Sequence, residues 1–292
     1  CAKCGSLLPS AEAPEEDTLI GQTVGGRYTI KKILGEGGMG RVYEAERALA
    51  GVTQRVAVKT LHQHLSKDPQ VVARFHRECR TVAQLRHPNT IKVEDFGQAA
   101  DGTLYIAMEF VEGMNCAQEL EKNGAMPPER VERILGQVCG SLAEAHKQGV
   151  VHRDLKPENI VLMNVGDDTD FVKVLDFGIA ARKDSTDAAK EAKLTQQGMV
   201  LGTPPYMSPE QFMGKELDAR SDIYSLGVMA YEMLTGRLPF DANTPWEWAT
   251  KHMTAQPFPF EDAPTVTDAP SKMKMAIMKA MSKKPEDRHA TV

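Results

Sequence analysis

The sequence predicts an α+β fold, with a small antiparallel β-sheet early in the chain and a mainly helical region after it. Three observations carry the prediction. From Tyr28 to Lys59, apolar and polar residues alternate in strand fashion through Tyr28-Thr29-Ile30, Val42-Tyr43 and Val56-Ala57-Val58, and a glycine run interrupts them. Apolar residues recur at helical spacing over 71–85, 129–148 and 273–281. A chain of 292 residues with 41% hydrophobic content is also long enough for one large core or for two lobes that share a cleft.

A net charge of -5 and a pI near 6.0 argue against a nucleic-acid binder working through bulk electrostatics. The longest apolar runs, such as 223–234, are too short and interrupted to span a bilayer, and no basic-plus-apolar leader opens the sequence, so a cytoplasmic location with no membrane segment within these residues is expected, an anchor outside them being left open. Cys79, Cys116 and Cys139 sit singly in apolar, helix-like patterns and read as small buried side chains with reduced thiols.

Taken in order, Cys1-Ala2-Lys3-Cys4-Gly5 has the spacing of one zinc knuckle, in which a tight turn aims two thiolates at one metal. A tetrahedral site needs two more ligands and none follows nearby. Cys1 and Cys4 therefore read either as half of a Zn2+ ribbon whose other half lies upstream or as a chance pair in a flexible tail. Residues 9–18, rich in Ala, Pro and Glu, read as a solvated linker.

Gly35-Glu36-Gly37-Gly38-Met39-Gly40 then runs from one strand into another, whereas a dinucleotide-binding turn would run from a strand into a helix. Within 71–85, Val72, Phe75, Cys79, Val82 and Leu85 fall on one side of a helix that also carries Arg74 and Glu78. Leu104 to Val111 reads as a buried strand. The polar run 164–170 reads as an exposed turn, because it does not fit the register of a calcium loop. Met273, Met275, Met278 and Met281 read as a packed amphipathic helix.

The chemistry concentrates in Val151-His152-Arg153-Asp154-Leu155-Lys156-Pro157-Glu158-Asn159, which reads as a loop because Pro157 keeps Lys156 out of the helical region. An Asp here can accept a hydroxyl proton, a Lys two residues on can neutralise a phosphoryl group, and an Asn can reach a hard cation. Asp176-Phe177-Gly178 follows, a second carboxylate before a glycine that lets the chain turn.

Together these stretches resemble the catalytic loop and metal-binding motif of bacterial eukaryotic-like serine/threonine protein kinases. The resemblance covers residues 26–292 in family order. It implies a two-lobed protein kinase fold, with a flexible start at 1–27, a small β-sheet lobe with a regulatory helix at 28–110 and a mainly α-helical lobe at 111–292 whose last helix is expected to be incomplete. It also assigns roles. Gly35, Glu36, Gly37, Gly38, Met39 and Gly40 would close over the phosphates of ATP, Lys59 would pair with them, and Glu78 would pair with Lys59 as a two-position switch. Met108 would be the gatekeeper, the backbone of Glu109 and Val111 would bond the adenine edge, and Val42, Ala57 and Val161 would sandwich the base. Asp154 would orient the acceptor hydroxyl, Lys156 would stabilise the transferred phosphoryl, and Asn159 and Asp176 would hold Mg2+.

Lys156 together with Thr203, in the substrate-docking stretch Gly202-Thr203-Pro204-Pro205-Tyr206, marks the serine/threonine branch. Asp222 would anchor the catalytic loop, and Arg288 would pair with Glu210. Thr195 would be the activating phosphorylation site, read by Arg74, Arg153 and Arg182, with Ser185 and Thr186 as incidental sites. Partners implied are protein substrates bearing Ser or Thr and a second copy of the chain in autophosphorylation through a transient homodimer. An ATP-binding pseudokinase scaffold would lack one of these residues, and none is missing. A third reading makes the kinase the output of an upstream zinc-dependent module.

Overall fold

The computed structural model describes residues 17–37, 40–62, 65–166, 168–178, 203–263 and 269–292. Its first part is a six-stranded antiparallel sheet in the order β1-β2-β3-β4-β6-β5, built from Thr23–Val24, Tyr28–Gly37, Gly40–Leu49, Val52–Leu61, Val93–Gln98 and Leu104–Glu109 numbered in chain order. Helix α1, Pro69–Val82, begins at the N-cap Asp68, whose side chain accepts from Gln70 N, with proline in the first turn.

Alternation gives the sheet two apolar faces. Tyr28, Ile30, Tyr43, Ala45, Val56, Val58, Tyr105 and Ala107 form one core, while Ala57, Leu61, Leu104, Ile106 and Met108 form another with Phe75 and Cys79 of α1. The β3–β4 turn passes through Ala50 at φ 50° and Gly51 at φ 82°, the pair of positive values that a two-residue hairpin requires.

Residues 17–27, expected to belong to the flexible start at 1–27, are ordered into the sheet. A turn at 17–20 leads into β1, which pairs with β2, and Leu19 packs against the core around Tyr28. Cys1 and Cys4 lie outside the described residues.

The second part is mainly helical: α2, Cys116–Asn123; α3, Pro128–Lys147; α4, Pro209–Phe212; α5, Ala219–Thr235; α6, Pro245–Thr254; and α7, Ser271–Ala280. A three-stranded sheet joins β7, Met114–Asn115, just before α2, to β8, Ile160–Val165, and β9, Asp168–Val174, which follow the catalytic loop, and β9 packs on α3. Val131, Ile134, Val138 and Leu142 line the inner side of α3 and share a core with Tyr224, Val228 and Tyr231 of α5. Helix α5 is buried along most of its length and ends at Gly236, left-handed at φ 69°. In α7, Met273 and Met278 pack on this core and Met281 just beyond it is buried, while Met275 is exposed.

The reading of 164–170 as an exposed turn is corrected in part: residues 164–166 and 169 are exposed, but the β8 and β9 strands reach Val165 and Asp168, and Asp170 is buried because Arg130 and Arg133 bond its carboxylate. Cys79 and Cys116 are buried free thiols, and burial raises the pKa of both. No helix among the described residues is long and apolar enough to cross a membrane.

Glu210 in α4 meets Arg288 in a buried, two-pronged pair, Nη1 to Oε1 at 2.7 Å and Nη2 to Oε2 at 2.9 Å, and Ser221 donates to the same carboxylate. Burial pushes the Glu210 carboxyl up, but the bonds from Arg288 and Ser221 outweigh it and hold the group below its ordinary 4.5. The pair therefore contributes stability above pH 4.5, and that contribution is lost as pH falls through the folded value. Arg288→Ala is expected to lower unfolding free energy by about 3–5 kcal/mol at neutral pH. In urea melts, the gap from wild type should narrow as pH falls below 4.5; an unchanged melt rejects the role of the pair.

Candidate active site

The loop between α3 and β8 is held from beneath. Asp222, in the first turn of α5 and buried, accepts from His152 N at 2.8 Å and Arg153 N at 2.9 Å, and its Oδ2 also accepts from His146 Nε2 at 2.7 Å. A carboxylate there faces the positive end of the helix dipole, and three donors compensate its desolvation. Gln211 Nε2 donates to Arg153 O at 2.8 Å, so both backbone groups of Arg153 are fixed. That explains how Arg153 is kept at φ 68°, a left-handed conformation costly for a residue with a Cβ.

His152 is fully buried and links this loop to the next one. Its Nε2 donates to Leu175 O at 2.7 Å, its ring lies 4.8 Å from that of Phe177, and Gly178 N donates to its carbonyl at 3.0 Å. Leu175 N donates to Asn159 O at 2.8 Å, a second stitch between the two loops.

Asp154, Lys156 and Thr203 converge. Lys156 Nζ lies 3.0 Å from Asp154 Oδ2 and donates to Thr203 Oγ1 at 2.7 Å, while Thr203 Oγ1 donates to Asp154 Oδ1 at 3.2 Å. Asn159 Nδ2 donates to Asp154 O at 2.7 Å, which aims the amide nitrogen at the loop and leaves the oxygen for another partner.

Across the cleft, the ion pair of Lys59 is with Asp176 at 2.7 Å rather than with the expected Glu78. A lysine ammonium is a compact point charge that follows the nearer carboxylate, and Asp176, left-handed at φ 54°, brings its own there. Burial pushes the Asp176 carboxyl up, but the Lys59 ammonium outweighs it and the group is held below the ordinary carboxylate value. Glu78 lies on α1 beside Cys79.

The glycine run joins two paired antiparallel strands, with Gly37 opposite Gly40 and Glu36 opposite Arg41. Gly40 cannot carry a side chain, since a Cβ there would stand 1.8 Å from Thr60 O. Ala57 and Met108 are register partners in the same core, against which Val42 and Val111 pack; Val161 is buried on β8. Gly38, Met39, Arg182 and Thr195 lie outside the described residues.

A family model described as the protein kinase domain matches residues 28–291. This chain belongs to the protein kinase domain family. It is 46% identical over 279 residues, 95% of its length, to the serine/threonine-protein kinase pkn3 of Myxococcus xanthus, and covers 50% of that protein. It is 38% identical to the serine/threonine-protein kinase PrkC of Bacillus subtilis, over 94% of this chain and 40% of the relative. Among solved structures it resembles the PknI kinase domain of Mycobacterium tuberculosis, with a TM-score of 0.68 and 28% identity over 93% of both chains. The chain thus spans about half or less of the curated relatives it matches.

The kinase domain family uses ATP and Mg2+, and the donor set here fits the metal. Asp176 offers a deprotonated carboxylate that already faces a cation, and Asn159 an amide oxygen, both hard ligands suited to Mg2+. For zinc, no group of three or more His, Cys, Asp or Glu placed to hold a metal occurs among the described residues.

Three contributors escaped the sequence reading. His152 sat inside the quoted loop with no role assigned, and His146 carried no signal beyond helical spacing. At the hinge, the Glu109 carboxylate accepts from Lys173 Nζ at 2.7 Å and Lys92 N at 2.8 Å, a pairing that spans 64 residues for Lys173 and has no local trace.

Asp222→Ala leaves the His152 and Arg153 amides without an acceptor and is expected to cost about 2–5 kcal/mol. Amide hydrogen exchange should accelerate most at those two residues. Equal exchange in both proteins would remove Asp222 as the anchor of the loop.

Proposed function

We propose that this chain is a serine/threonine protein kinase domain that transfers the γ-phosphoryl group of ATP to Ser or Thr hydroxyls of proteins. The observation that carries the reading is the triangle of Asp154, Lys156 and Thr203, in which a threonine hydroxyl donates to a carboxylate while an ammonium contacts both. A substrate hydroxyl in the same place would have its proton directed at Asp154. Its oxygen would then be turned toward the phosphoryl group, with Lys156 beside the charge that develops.

The remaining residues position the nucleotide. Glu109 N is committed to Lys92 O at 3.0 Å, so its contact with the adenine edge is made by the carbonyl. Val42, Ala57 and Val161 offer apolar surface to the base, and Met108 fills the space behind it. Lys59 holds the phosphates, and Gly35, Glu36, Gly37 and Gly40 let the backbone approach them. Asn159 and Asp176 would hold Mg2+, which would supply neutralisation of the phosphate charge. Because Lys59 contacts Asp176 here, pairing with Glu78 is the second position of a switch. The complete set of Lys59, Asp154, Asn159 and Asp176, with the names of the relatives, favours the enzyme over a pseudokinase scaffold.

Regulation is proposed from the resemblance alone: Thr195 is phosphorylated by a second copy of the chain and read by Arg74, Arg153 and Arg182. Gln197 stands two residues on, where relatives of this kind often carry a second threonine.

Asp154→Asn and Lys59→Met are expected to lower transfer of radiolabelled phosphate to a generic basic protein by about 10²–10⁴-fold, the range for loss of one such group, without changing the melting temperature by more than a few degrees. A near wild-type rate for Asp154→Asn would sink the mechanism. After preincubation with ATP, mass spectrometry should find phosphate on Thr195, and Thr195→Ala should stay at basal activity. Equal activity with no phosphate at that residue would reject the switch.

A further inference from the structure

Asp17 stands before the matched kinase domain, in a stretch whose composition reads as linker. Its side chain is nonetheless 4% exposed and accepts three bonds: from Leu19 N at 2.9 Å, from Arg41 Nη1 at 3.0 Å and from Tyr43 OH at 2.7 Å. Tyr43 is buried in the small-lobe core. Arg41 is ion-paired on its other side as well, since its Nε lies 3.0 Å from Glu36 Oε1. Glu36 and Arg41 face each other across the glycine hairpin, one residue outside the Gly37–Gly40 pair.

The carboxylate thus grips a guanidinium that in turn grips the opposite strand. Asp17 is itself anchored: Ile20 N donates to its carbonyl at 3.0 Å, Gly21 N donates to Ile30 O at 2.9 Å, and β1 pairs with β2. Burial pushes its carboxyl up, but the Leu19 amide, Tyr43 and Arg41 outweigh that and keep it ionised.

We propose that Asp17 is a positioning residue for nucleotide binding, fixing Glu36 through Arg41 and so presetting the paired strands that flank the glycine run for ATP. The proposal rests on the kinase reading above. Glycines give the hairpin freedom to approach phosphates, and the same freedom has to be given up when ATP binds. A clamp at the base of the hairpin removes part of it beforehand. Losing the clamp then weakens nucleotide binding and leaves the chemical step alone, because Asp17 touches none of the reacting groups.

The test uses the whole chain, a fluorescent ATP analogue with Mg2+, and steady-state kinetics. Asp17→Asn, which keeps the shape and removes the charge, is expected to raise Kd for the analogue and KM for ATP about three- to tenfold, the size of one charge-assisted hydrogen bond at a partly exposed site, with kcat held within about twofold. Asp17→Glu should recover part of the affinity. In a Glu36→Gln background, Asp17→Asn should cost less than half as much, since the relay is already cut. Unchanged Kd with a lowered melting temperature would make Asp17 a plain stability residue and overturn the proposal, as would full additivity with Glu36→Gln. Should Asp17→Ala fail to fold, the isosteric Asp17→Asn still decides. Wild-type chain that binds no nucleotide overturns the kinase reading and this proposal with it, whereas normal binding in every variant overturns only this one.

Discussion

One buried carboxylate, Asp222, carries the constraint on which the rest of the site depends. It satisfies two consecutive backbone N–H groups of the catalytic loop and the ring of His146, and it is tolerated in the interior because those donors and the start of α5 compensate its charge. With the amide of Arg153 fixed from below and its carbonyl taken by Gln211, the backbone has no alternative to the left-handed turn before Asp154. Asp154 is in this way presented by an over-determined backbone, and the strain at Arg153 is the local cost of aiming it. The link through His152 to Leu175, and from Leu175 back to Asn159, extends the same rigidity to Asp176.

Between the lobes the forces differ in kind. Lys59–Asp176, Glu109–Lys173 and Arg55–Glu112 all cross from the first sheet or its hinge to the parts that follow, and all are partly exposed. Pairs of that sort contribute little to stability. A compact ammonium or an exposed guanidinium in such a pair can exchange partners without leaving a charge stranded in the interior. Buried pairs such as Glu210–Arg288 belong to the helical part instead, where the penalty for separation is high.

Local pattern made some of this legible. Helical spacing announces α1 and α3, and the strand-to-strand setting of the glycines separates paired strands from a dinucleotide turn. Polar residues buried by distant partners were not legible. Asp170 read as part of an exposed turn because its neighbours are polar, yet Arg130 and Arg133, some 40 and 37 residues earlier, take it into the interior. Asp17 read as linker for the same reason, and its partners lie 24 and 26 residues on. A carboxylate is assigned to solvent by composition until a guanidinium is known to meet it, and sequence spacing says nothing about that meeting. The Lys59 pairing illustrates a different limit: resemblance names Glu78 as the partner of the ammonium, whereas the geometry sets it against Asp176.

Adjacent positions beside the glycine run carry opposite requirements. Gly40 has to be bare, because the strand beside it approaches so closely that a single carbon would overlap Thr60 O. Arg41 needs its full length, because its guanidinium spans from Glu36 on one side to Asp17 on the other. Neither requirement follows from the glycine pattern by itself. Close approach of one backbone to another removes a side chain at Gly40, while a carboxylate on either side of the next residue calls for a long cation, and the hold on that cation comes in part from a residue that precedes the matched domain.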